Sequence, residues 1–199
     1  MNMQVDQYFI ETALTFGDYE KYQDCFLIKR TNADYILYIP NSMTKKPFNV
    51  FSEPEYEGAN LKVIGGSGLT TTMEMFRGCK AKSIDLSSLN ISNIKSMQTM
   101  FADCRAKSIN FGSIDTSNVT DMKYMFAYCT TKSLDLRSFD VSNVTGMGYT
   151  FMYCKAESID LTSFKTSSKT YMYDMFKYCN SHIKATDSNI LEAYNHRIK

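Results

Sequence analysis

The segment "MKYMFAYC" at Met122–Cys129 returns along the chain at a fixed interval of 25 residues. "MQTMFADC" ends at Cys104, "MGYTFMYC" at Cys154 and "MYDMFKYC" at Cys179, and a weaker copy, "TMEMFRGC", ends at Cys79. Such a period is the mark of a repeat architecture, in which no unit buries its apolar surface alone and neighbours stack to make a core. Phe76, Phe101, Phe126, Phe151 and Phe176 form one column, and Met97, Met122, Met147 and Met172 another. Within a unit, Met122, Met125, Phe126 and Cys129 fall at i, i+3, i+4 and i+7, the spacing of one stripe on a short helix facing a core.

After each cysteine the pattern changes. "KSIDL", "KSINF", "KSLDL" and "ESIDL" alternate apolar and polar residues, as a half-buried strand does. "NISN", "DTSN" and "DVSN" follow as turn segments, and Asn118 ahead of Asp121 suits a helix N-cap with a carboxylate in the first turn. Each unit therefore reads as strand, turn, short helix and return. Stacked, the units predict an α/β solenoid with a parallel sheet on one side and helices along the other.

The joint occurrence of "MF", two residues, Cys, then "KSLDL", then "SNVT" and Met resembles the BspA-type leucine-rich-repeat family over residues 61–180. The resemblance implies a leucine-rich-repeat-like array. It also implies a non-catalytic protein-binding module, of the kind by which bacterial surface proteins adhere to host or matrix proteins. The last unit departs from the pattern, with Ser168 and Lys169 where Asn and Val stand elsewhere. The start of the chain lacks a basic segment followed by an apolar core. As given, the chain therefore reads as cytoplasmic, or as surface-exposed or secreted if an export signal has been removed. The cytoplasmic case suits a different binder, an intracellular inhibitor or adaptor encoded by a phage or mobile element and occluding a host protein.

The ends differ from the array. Residues 181–199 read as a capping helix opened by Asp187–Asn189, with Ile190, Leu191, Tyr194 and Ile198 on one side. Residues 1–60 read as a small α+β cap. "VDQYFIETALTF" suits a short helix, and "CFLIKR" and "YILYIP" flank "TNAD" as a β-hairpin that Pro40 ends. A long turn-rich connector at 41–60 is either part of the cap or a partner-binding element.

Catalytic and cofactor chemistry find little foothold. The two histidines, His182 and His196, belong to no recognisable triad or metal motif, and "IGGSG" lacks the Lys-Ser/Thr ending of a phosphate loop. Five of the six cysteines form one periodic column without short metal-knuckle spacing, so they read as reduced, buried thiols. No cofactor or metal is expected, and no run is long enough to span a bilayer. With 22 basic and 21 acidic residues, charge gives nucleic acid little purchase. The periodic cations Lys80, Lys82, Arg105, Lys107, Lys132 and Lys155 are diluted by aspartates and interrupted by Glu157. Two outward features remain as candidates for binding another protein. Asp85, Asp135 and Asp160 form a polar row on the solvent face of the strands. Tyr124, Tyr128, Tyr149, Tyr153 and Tyr178 line the side opposite the Met/Phe/Cys stripe, and tyrosine gives large contact area at low entropy cost. Either surface could also pair two copies of the chain.

Overall fold

The computed structural model describes residues 10–11, 13, 20–22, 24–45 and 50–197. Strands β1 (Glu20–Tyr22), β2 (Cys25–Lys29), β3 (Asp34–Ile39), β4 (Asn60–Gly65), β5 (Ser83–Leu89) and β6 (Ser108–Asn110) form one sheet in sequence order. Strands β7 (Ser133–Asp135), β8 (Ser158–Leu161) and β9 (His182–Ala185) form a second. The β1–β2 and β2–β3 pairs are antiparallel, and every later pair is parallel. Between the sheets the Lys132 amide still reaches the Lys107 carbonyl at 3.3 Å. The array is thus a parallel β-solenoid.

The hairpin forms where alternation and turn chemistry place it. Thr31 Oγ1 accepts the amides of Ala33 and Asp34 and donates to the Asp34 carboxylate at 2.8 Å. Because β3 pairs in parallel with β4, the hairpin shares the solenoid's own sheet. Ile10 and Ala13 cover its outer face by packing with Ile28 and Ile36. The rest of the helix expected over "VDQYFIETALTF" lies outside the described residues.

The return side is where the structure corrects the sequence reading. Residues 71–79, 96–104, 121–129, 146–154 and 171–179, here rungs 1 to 5, are chains of tight turns, with no α-helix among them. In rung 3, Met125, Ala127 and Cys129 donate three residues back, to the carbonyls of Met122, Tyr124 and Phe126. The intervening amides of Met122, Tyr124, Phe126 and Tyr128 instead cross to the carbonyls of Gly146, Gly148, Thr150 and Met152 in rung 4, at 2.8–3.2 Å. Tyr124 and Tyr128 have φ of 57° and 59°, the left-handed value that the third position of a type II turn demands and that ends any helix. The physical reason is spacing. Packed helices need roughly 8–10 Å between axes, whereas neighbouring strands lie about 4.8 Å apart. Turns stack at the strand spacing, so both sides of the coil rise together. The inward set survives the correction, since Met122, Met125, Phe126 and Cys129 are all buried.

Asn118 is not a helix cap. Its side-chain amide donates to the Ser92 carbonyl of the preceding coil at 2.8 Å, as Asn93 does to Ser67 and Asn143 to Ser117. Asp121 accepts the Lys123 amide at 3.0 Å within its own turn. In the last coil the exposed Ser168 and Lys169 stand where the other coils place this asparagine and a buried Ile94, Val119 or Val144.

The core is one continuous column. Phe76, Phe101, Phe126, Phe151 and Phe176 stack with centroids 5.4–5.6 Å apart and planes within 14°. Phe51, one period before Phe76, is also buried, beside two 3-10 turns at Val50–Ser52 and Pro54–Tyr56. At the other end helix α1 (Ser188–Asn195) closes the stack. Its N-cap Asp187 accepts the Ile190 amide at 3.0 Å and the Thr166 amide at 2.7 Å, tying the helix to the last coil. Ile190 is buried and Tyr194 packs edge-on against Phe176, but Leu191 faces solvent at 40 % exposure rather than sharing the buried side. Ile198 lies outside the described residues.

Candidate functional site

The rungs put their odd features outward. Column by column, the left-handed positions are Glu74, Thr99, Tyr124, Tyr149 and Asp174, and Gly78, Asp103, Tyr128, Tyr153 and Tyr178. A left-handed backbone costs a bulky residue about 1–2 kcal/mol. Here stacking offsets it. Tyr124 lies 4.7 Å from Tyr149 with planes 6° apart, Tyr128 is 4.9 Å from Tyr153, and Tyr153 is 4.6 Å from Tyr178. Each such pair contributes about 0.5–1.5 kcal/mol beyond area burial. The rings therefore stand as rigid blades whose faces cover one another and whose edges and hydroxyls meet solvent. Burial raises the Tyr149 hydroxyl pKa above the ordinary tyrosine value, with the neighbouring tyrosines adding to the shift.

All five tyrosines expected on this side do lie there, on turns rather than on a helix. Tyr128 and Tyr153 are 45 % and 36 % exposed, while Tyr124, Tyr149 and Tyr178 are half-buried. Among the described residues, the most exposed aromatics escaped sequence reasoning: Tyr171 at 51 % and Tyr173 at 56 %. Tyr173 meets Tyr149 edge-on at 5.6 Å, and Tyr171 lies against Tyr173 at 6.2 Å. A Cβ on Gly148 would stand 2.6 Å from the Tyr171 ring, so the glycine makes room for it. Gly146 and Gly148, one period before Tyr171 and Tyr173, were the available signal. Charges beside the patch are paired within it, Lys177 with Asp174 at 2.8 Å and Lys123 with Asp121 at 3.8 Å.

The strand-face aspartates are placed outward as expected, but each serves its own turn. Asp85 accepts the Ser87 amide at 3.1 Å and the Asn110 side chain at 2.9 Å. Arg137 grips both oxygens of Asp135 at 2.9 and 2.6 Å and holds its pKa below the usual carboxylate range. Asp160 is held low chiefly by the Thr162 hydroxyl at 2.7 Å. These are Asx turns, a structural use that leaves little open coordination. The basic residues Lys82, Arg105, Lys107, Lys132 and Lys155 are exposed. Among the described residues no cluster of three or more His, Cys, Asp or Glu could hold a metal ion.

The cysteine column is buried and unbridged. Burial pushes the Cys25 thiol pKa up to about 12. The neighbouring Cys129 and Cys79 thiols, then burial, raise that of Cys104. The Cys154 thiol beside it lowers the Cys179 thiol pKa to about 6, but none of the six cysteines is more than 1 % exposed, so the native protein is expected to leave all of them unlabelled by a thiol-specific disulfide reagent for as long as it stays folded, because reagent cannot reach the sulfurs. Counting labelled thiols before and after denaturant tests this, and rapid native labelling would show that the column opens.

Residues 66–189 match the family described as "Mycoplasma protein of unknown function, DUF285". The chain belongs to the DUF285 family. The match spans all five rungs and the N-cap of α1, so the repeat array is the family's shared unit. No curated protein and no solved structure matches this DUF285 chain. Among the described residues, no helix is long and apolar enough to cross a membrane.

Proposed function

We propose that this DUF285 protein is a non-catalytic protein-binding module of the bacterial surface-recognition type, and that its contact surface is the tyrosine-bearing turn face of rungs 3 to 5. One observation carries the reading: Tyr128, Tyr153, Tyr171 and Tyr173 are each 36–56 % exposed on a backbone held by cross-rung hydrogen bonds. Four such rings present on the order of 400 Å² of amphipathic surface, the size of patch that is often functional on a monomer. Rigid aromatic anchors lose little entropy on binding and dominate interface energetics. The BspA-type resemblance of the repeats points to adhesion. The strand face is a weaker candidate, because its carboxylates are already engaged in their own turns.

The test compares wild type with a variant carrying Tyr128→Asn, Tyr153→Asn, Tyr171→Ser and Tyr173→Ser. Asparagine tolerates left-handed backbone, and Asp103 already occupies the Tyr128 column at φ 58°. Strain is relieved at Tyr128 and Tyr153 only, while ring contacts are lost at all four positions, so circular dichroism first establishes that the variant folds. Each form is immobilised and offered host surface and matrix proteins, and separately a cytosolic lysate. A surface or matrix partner held by wild type and lost by the variant, with at least about 100-fold weaker affinity, is the expected result. Tyrosine-dependent capture from the cytosolic fraction alone would favour the inhibitor or adaptor reading. Equal capture by both forms would remove the tyrosine face from the proposal.

A further inference from the structure

The corner where each rung passes into the next strand carries a charge pattern that the fold does not use. Lys80, Arg105 and Lys155 stand in one column, and Lys82, Lys107 and Lys132 in a second, two residues further along the chain. The residue between the columns, Ala81, Ala106, Thr131 or Ala156, is buried in every coil, so both columns point outward. The backbone beneath them is fixed. The Lys107 amide donates to the Lys82 carbonyl at 2.9 Å, the Lys132 amide to Lys107 at 3.3 Å, and the Arg105 amide to Cys79 at 2.8 Å. Backbone positions within a column are therefore a strand spacing apart, about 4.8 Å, and the two columns lie about 6.6 Å from each other.

Among the described residues, none of these six cations makes an ion pair or a side-chain hydrogen bond. Arg77, Lys123, Arg137 and Lys177, on the same array, are each paired with a carboxylate. Like charges set side by side on neighbouring strands repel, so the two columns carry a cost that no contact within the described chain offsets. The acids near them stand at the margins or are engaged. Glu57 and Glu157 bound the cluster in sequence, and Asp103 lies against Arg77 at 4.0 Å. Arg137 grips Asp135, and Asp85 accepts the Asn110 side chain. A row of hydroxyls borders the cations, since Ser83, Ser108 and Ser133 directly follow Lys82, Lys107 and Lys132. Ser83 donates to Asn60 at 2.8 Å, but Ser108 and Ser133 are exposed and their hydroxyls have no partner among the described residues.

We propose that this edge is a second binding site, for a sulfated polysaccharide, and that it acts independently of the tyrosine face. Sulfates along the ligand pair with Lys80, Lys82, Arg105, Lys107 and Lys132, five cations on three successive coils. Its ring hydroxyls meet those of Ser108 and Ser133. The same chemistry separates this ligand from other polyanions. Single-stranded nucleic acid is held by bases stacking on open aromatic faces, whereas Tyr128 and Tyr153, which precede the edge in their coils, cover each other's faces at 4.9 Å. An acidic peptide would satisfy the cations but bring no run of hydroxyls to the serine row. Lysine is a point charge on a flexible stem, so the site selects a density of sulfates more than one order of sugars.

The probe is size-defined heparin, compared with chemically desulfated heparin, single-stranded DNA and polyglutamate. Binding to the full chain is measured by isothermal titration calorimetry over a series of salt concentrations. Heparin is expected to bind with an affinity that falls as salt rises, because the cations displace its counterions. Desulfated heparin should bind at least about tenfold more weakly. Lys82→Gln with Lys107→Gln and Lys132→Gln should weaken heparin binding about thirtyfold or more and flatten the salt dependence. Lys95→Gln with Lys165→Gln and Lys169→Gln removes the same charge from exposed positions elsewhere and should leave binding near that of wild type. If the first triple variant folds poorly, Lys107→Gln alone should still weaken binding several-fold. The variant lacking the four exposed tyrosines should bind heparin as wild type does, so a failure of either surface is read separately from the other. Equal loss in the two lysine triplets would reduce the effect to net charge and overturn the proposal. Tighter binding of DNA or polyglutamate than of heparin overturns the ligand class, and absence of heparin binding at low salt overturns the site.

Discussion

Phe126→Ala is expected to destabilise the protein by about 3–5 kcal/mol, the range for deleting a fully buried phenylalanine whose site cannot collapse. Phe126 stands in mid-column, 5.5 Å from Phe101 and 5.6 Å from Phe151, with Phe111 edge-on at 6.1 Å. Its neighbours cannot close the void, because each ring is held in register by hydrogen bonds from its own rung to the next. In a linear array the damage also reaches beyond one coil, since each repeat is stabilised by the interfaces on both sides. Chemical denaturation read by far-UV circular dichroism measures the loss. A change under about 1 kcal/mol would mean that the column is not close-packed.

Gly65→Ala should do comparable harm, above about 3 kcal/mol, by a different route. Gly65 ends β4 at φ 91°, a conformation that side-chain-bearing residues rarely adopt. A Cβ there would run into the Ile39 carbonyl oxygen, which accepts the Gly66 amide at 2.9 Å. Backbone cannot yield as a flexible side chain can, so the β3–β4 register would have to open. That register joins the hairpin to the solenoid. The same denaturation measurement applies, and the wild-type midpoint in the alanine variant would show that the junction is pliable. Gly58, with φ 81° and open space around its Cβ position, is the control in which backbone strain acts alone.

Much of this architecture was legible in the chain, and its limits have definite causes. Phe126 and Cys129 announced their own columns because a core position admits only a narrow choice of residues, and that choice recurs every 25 residues. The turn side was misread because Met122, Met125, Phe126 and Cys129 satisfy a helix stripe and a chain of tight turns equally well. Gly78 and Asp103, both tolerant of left-handed backbone and both in the Tyr128 column, were the local hint against a helix. Tyr128 itself, a poor left-handed residue, concealed it. On the candidate site, the five periodic tyrosines were found by their spacing. Tyr171 and Tyr173 were missed because they replace Gly146 and Gly148 instead of repeating a motif.

What the amino-acid order alone determined is the period, the inward residues and the parallel strands, since burial and alternation are local properties of each unit. Where the amides of Tyr124, Phe126 and Tyr128 go was decided only in the folded array. Those bonds are made to residues one full period away, and at strand spacing a neighbouring rung can accept them where a neighbouring helix could not. The last rung belongs to the same class of fact: its residues resemble those of the other rungs, yet α1 follows it in place of a further rung, Tyr194 packs on Phe176, and no described residue accepts the amides of Met172, Asp174, Phe176 and Tyr178.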